Sequence, residues 1–128
     1  MNLRISQAAA FQAGATAYIY SRMGHDSQPT ASNPSSTGAA QIQLANALSN
    51  VGGRSLSGVV YLVNPAGTTK NKNIFWQIAW LTSVPAMAGT DGVGVFGTNT
   101  TAIDGVRFLM SAGNITSGTF ALYGVRKT

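Results

Sequence analysis

The sequence predicts an all-β domain, a sandwich or a barrel, on three observations. Apolar and β-branched residues alternate with other residues at a period of two in short stretches. These stretches recur about every 8–15 residues, giving about seven or eight strands separated by Gly, Pro, Asn and Ser turns. No segment carries the longer apolar periodicity of a confident helix. At 128 residues the chain makes one domain, long enough to bury a core without cross-links.

The elements follow in order. Residues 1–14 combine Leu3, Ile5, the Ala8–Ala10 run and Phe11, a pattern open to a short helix or an extended arm. They are expected to form an N-terminal arm, with the sandwich spanning 15–128. Thr16 to Arg22 reads as a strand through Tyr18, Ile19 and Tyr20. The Pro-, Ser- and Thr-rich stretch from Gly24 to Gly38 reads as a long loop, and Ile42 and Leu44 alternate with glutamines in the next segment. Gly52-Gly53 marks a turn.

Leu56 to Val63 is apolar on both faces, which predicts a strand in the middle of a sheet, stopped by Asn64-Pro65. Thr68 to Asn73 reads as a polar loop with Lys70 and Lys72. The strongest strand is Ile74 to Leu81, with Ile74, Trp76, Ile78 and Trp80 on one face. Val84 to Gly92 reads as a loop and Gly92 to Gly97 as a short glycine-rich strand. Ala102 to Met110 and Thr119 to Val125 complete the set, with Phe120 and Leu122 pointing inward.

Composition restricts the chemistry. Cysteine is absent, which removes disulfides, thiolate metal sites and thiol nucleophiles. Charged residues make up 9%, against about 25% in an average domain. Ser, Thr, Asn and Gly together exceed a third of the chain. So weakly charged a surface suits burial against other protein better than life as a free monomer. The net charge is +5, but the eight basic residues are scattered. They make no basic stripe interleaved with aromatics, so no nucleic-acid partner is expected. No apolar stretch approaches the roughly 20 residues of a membrane-spanning helix, and no membrane partner is expected.

Catalytic and ligand-binding motifs are equally sparse. His25 is the single histidine, beside Asp26, and neighbouring residues point apart. A Ser-His-Asp set would need Asp91 or Asp104 to fold against His25. One histidine and three dispersed aspartates supply no metal shell, and no cofactor is expected. Asp91-Gly92 and Asp104-Gly105 read as turns. The string Gly92-Val93-Gly94-Val95-Phe96-Gly97 mimics a dinucleotide fingerprint but lacks the following helix. Trp76 and Trp80 share one strand face, which reads as sandwich core or, exposed, as a platform for sugar stacking.

The C-terminal segment carries a family resemblance. Residues 102–126, and above all the string GNITSGTFALYGVR, look like the closing hairpin of jelly-roll domains in structural proteins of tailed bacteriophages. The segments SLSGVVYLVNP and TKNKNIFWQIAW resemble the middle strands of such domains, so the likeness covers about residues 55–126. It implies a jelly-roll β-sandwich and a non-enzymatic capsid decoration, or cement, protein on the exterior of the virion. The partners implied are the major capsid protein and further copies of the chain, as a homotrimer.

On that reading the arm residues Leu3, Ile5 and Phe11 anchor the protein to the shell. Arg4, Arg22, Arg54 and Arg107 meet an acidic capsid exterior. The alternative is a small tail-fibre or receptor-binding protein that stacks host glycan on Trp76 and Trp80.

Overall fold

Strand β7 (Lys72–Leu81) organises the fold, because its side chains alternate strictly between buried and exposed from Lys72 to Trp80. In this computed structural model, which describes residues 1–27, 33–82, 84 and 86–125, the chain forms two antiparallel sheets packed as a β-sandwich. The first expectation, an all-β sandwich, holds. The remaining strands are β1 (Asn2–Gln7), β2 (Ala10–Phe11), β3 (Tyr18–Asp26), β4 (Ser35–Ala39), β5 (Ile42–Gln43), β6 (Leu56–Leu62), β8 (Met87–Phe96) and β9 (Gly105–Leu109).

The larger sheet has the order β4-β3-β8-β7-β6, with β6, β7 and β8 joined as a meander. In the smaller sheet β1 is central. It pairs with β9 from Asn2↔Leu109 to Ser6↔Gly105, with β5 at its start and with β2 at its end. The inner faces meet in one core of Leu3, Ile5, Tyr18, Ile42, Leu44, Ile74, Trp76, Ile78, Trp80 and Phe96. Hydrogen bonds tie the sheets across it. The Tyr18 hydroxyl accepts from the Ile5 N–H at 2.9 Å, and the Thr90 hydroxyl donates to the Leu44 carbonyl at 2.6 Å. Burial pushes the Tyr18 phenol up.

Several expectations need correction. Residues 1–14 are no free arm: residues 2–7 are the middle strand of the smaller sheet, and Leu3 and Ile5 are fully buried. The signal was present, since Leu3 and Ile5 alternate with Asn2, Arg4 and Ser6. The alanine run that follows hid it. It forms a two-residue hairpin turn in which Ala8 and Ala9 both take positive φ, 51° and 60°, a conformation that favours Asn-Gly. Second, β6 lies at the sheet edge and not in its middle. Its outward Val59 and Tyr61 are apolar because that face of the sheet is apolar, not because β6 is flanked on both sides.

Third, β8 begins at Met87, so most of the expected 84–92 loop is strand. The glycines that look like turn formers make room for bulky neighbours. A Cβ on Gly92 would sit 2.0 Å from the Trp76 ring, and one on Gly94 2.7 Å from Ile42. Likewise β3 runs on to Asp26, into the expected loop. Pro29, Pro85 and the Arg126/Lys127 pair lie outside the described residues. Fourth, Thr119 to Val125 pairs with no strand among the described residues. Phe120 returns to stack on Phe108 at 5.1 Å, but Leu122 points outward and is 91% exposed.

Lys72 belongs to the core and not to a polar loop. It is fully buried, and its ammonium donates to the carbonyls of Gly67, Lys70 (3.1 Å) and Thr100 (3.0 Å). Three carbonyl dipoles satisfy its three N–H donors and pin two connecting segments to the end of β7.

Candidate interaction surfaces

The outer face of the larger sheet is the most unusual surface of the molecule. Strand register places its side chains in rows. One row runs Val59, Gln77, Asp91, Met23, and the next runs Tyr61, Phe75, Val93, Ser21. Ile19 lies beyond them, opposite Val95. Six large apolar side chains here are exposed: Ile19, Met23, Val59, Tyr61, Phe75 and Val93. An antiparallel sheet that faces water is expected to be polar on that side. This one carries large apolar side chains on four strands, interrupted by Gln77, Asp91 and Ser21, an exposed apolar patch of the kind found at contact surfaces. A shallow depression among Met23, Asn33, Tyr61, Phe75 and Val93 gives it relief.

At the margin of this patch the fold joins two residues that are distant in sequence. His25 Nε2 lies 2.8 Å from Asp91 Oδ2, both side chains about half exposed. That is the pairing a catalytic triad would require, yet no serine among the described residues is hydrogen-bonded to the imidazole. It reads as a polar tether within an apolar surface. Among the described residues no three potential metal ligands gather.

A second surface lies on the outer face of the smaller sheet. Arg4 and Arg107 are directly opposed across β1 and β9, and Phe11 shares their face through its pairing with Ser6. The Arg107 guanidinium lies over the Phe11 ring, 5.6 Å from its centre. Among the described residues neither arginine is ion-paired, and Arg4 Nε is buried without a hydrogen-bond partner. Opposed like charges repel, so the pair favours an anionic partner. Asp104 is nearby but committed elsewhere. Its carboxylate accepts the Ala9 N–H at 2.7 Å, which, with a hydrogen bond from Ser6, holds it below the usual aspartate range.

Of the residues expected to contact a partner, the fold therefore gathers Arg4, Phe11 and Arg107. It removes Leu3, Ile5 and Arg22. Arg22 is a correction with a physical reason: it points inward from β3 and is only 3% exposed. Its guanidinium donates to Gln43 at 3.3 Å and Asn46 at 3.5 Å, and burial lowers its pKa. Arg54 stands apart, half-buried, donating to the Thr82 carbonyl and to Ser49. Trp76 and Trp80 are 1% and 3% exposed, so neither offers a platform for sugar. Sequence reading passed over the apolar outer face. Its signal was the alternation itself, since Phe75, Val59 and Tyr61 occupy the positions that should be polar.

No family model, curated protein or solved structure matches this chain.

Proposed function

We propose that this protein is a non-enzymatic structural component of a tailed-phage particle, a decoration protein that binds the major capsid protein on the outside of the head. The observation that carries the reading is the apolar outer face of the larger sheet, exposed on Ile19, Met23, Val59, Tyr61, Phe75 and Val93. Cover by another protein would bury these side chains. The Arg4–Arg107–Phe11 patch supports it, because an unpaired cationic pair suits an acidic shell and steers association in a salt-dependent way. The phage assignment rests on the resemblance of the GNITSGTFALYGVR segment, and the jelly-roll winding and homotrimer belong to the same reading.

Cementing follows from mass action. A protein that binds the assembled lattice and not its loose subunits stabilises the lattice, and several linked copies multiply the effect through avidity. The receptor-binding alternative is left without its stacking residues, both of which lie in the core.

Electron cryo-microscopy of the particle tests the proposal. Density on the head is the expected result, and heads stripped of the protein should then release DNA at a lower temperature. Density at the tail tip would overturn the reading. Equal heat resistance with and without the protein would remove the cementing role.

A further inference from the structure

The segment Thr119–Val125 has the composition of a strand and the surroundings of none. Phe120, Leu122, Tyr123 and Val125 are 58%, 91%, 84% and 93% exposed, and the segment makes no ladder among the described residues. Backbone left without a ladder exposes unpaired N–H and C=O groups beside unburied apolar side chains. The acceptor for such groups is present on the same molecule. β9 pairs with β1 along one edge, and its other edge is open among the described residues.

We infer that Thr119–Val125 adds as an antiparallel strand to the open edge of β9 in a second copy of this chain. The donor starts beside the acceptor, because the Phe120 ring is already stacked on Phe108 of β9, 5.1 Å away and 20° from parallel. Beyond that stack the segment leaves its own domain, as the near-complete exposure of Leu122 and Val125 records. Each copy carries one donor and one acceptor, so exchange around a closed ring leaves no donor strand over and no β9 edge unpaired. Main-chain hydrogen bonds supply the pairing, and alternate side chains of the donor find cover against the neighbour. The inference does not depend on the phage reading. It describes how copies associate, whatever they then bind.

The absence of native cysteine makes the test clean. Chains carrying Arg107→Cys are mixed with chains carrying Cys in place of Ala121, Leu122 or Tyr123, and oxidised. Disulfide-linked dimers from at least one mixture are the expected result. The same two substitutions placed in one chain should yield linked multimers. A cross-link closed within a single chain would show that the segment completes its own β9 edge, and would overturn the inference.

Light scattering on the full chain and on Ala121→Pro/Tyr123→Pro provides the second measurement. The prolines remove N–H donors from a segment with little packing to lose. Self-association should weaken at least tenfold with an unchanged melting temperature of the isolated domain. Unchanged association, or a full chain that stays monomeric, would overturn it as well.

Discussion

Strand β7 carries large apolar side chains on both sides, and its two sides are built differently. Inward, Ile74, Trp76, Ile78 and Trp80 are buried, and the strand beside them thins to Gly92, which makes room for the Trp76 ring, and Gly94, which makes room for Ile42. Outward, Phe75 is 42% exposed, and its neighbours across the sheet are Tyr61 and Val93, themselves exposed. The inner side is a finished packing problem, with large against small. The outer side is large against large on an open surface, with no local complement. Apolar content alone therefore does not identify a core. What identifies it is the presence of glycine where a partner needs room.

The widest separation between the two sides should come from paired truncations. Trp76→Ala should cost about 3–5 kcal/mol of folding stability, whereas Phe75→Ser should shift it by no more than about 0.5 kcal/mol, both read by denaturant melts of the isolated domain. Phe75→Ser should instead weaken binding to the particle. A large stability loss from Phe75→Ser would mean that the outer side is core after all.

A smaller effect should come from filling the space the glycine leaves. Gly92→Ala places a methyl group against the Trp76 ring and should cost about 1–3 kcal/mol. The same change at Gly124, which has nothing within 4 Å, serves as the neutral control in the same melts.

The smallest effects should come from the β1–β2 turn, which belongs to neither side. Ala9→Gly relieves one left-handed alanine and should raise stability by up to about 1 kcal/mol. Asp104 braces this turn with a lowered pKa, so its contribution is present above the ordinary aspartate value and is lost as pH falls through the folded one. The stability difference between the native chain and Asp104→Asn should accordingly shrink below about pH 4.

How much of this was legible in the sequence depends on whether the deciding contact is local. The inner row of β7 was readable because a period of two is local. The position of β6 at the edge was not, because flanking is decided by which distant strands arrive. Leu3 and Ile5 showed the correct period, but an alanine turn in left-handed conformation has no residue signature. Arg4, Phe11 and Arg107 were individually visible as surface candidates, and only the β1–β9 register puts them on one face. Arg22 and Lys72 defied their residue type, since the Gln43 and Asn46 amides that meet Arg22 and the Thr100 carbonyl that joins Gly67 and Lys70 on Lys72 come from segments distant in sequence.

The β1–β9 pairing also sets an order in time. The β6–β7–β8 meander closes through neighbouring hairpins, so its loop-closure entropy is small and it can form early. The smaller sheet cannot, because Asn2 must meet Leu109 and the intervening chain must already be compact for that encounter to be frequent. During synthesis Leu3 and Ile5 leave the ribosome well before their β9 partners and pair with them late. Through that interval the first strand is an unpaired apolar ribbon, exposed to wrong pairing. Its interruptions by Asn2, Arg4 and Ser6 would then serve the nascent chain as much as the folded one, keeping the strand soluble until its partner arrives.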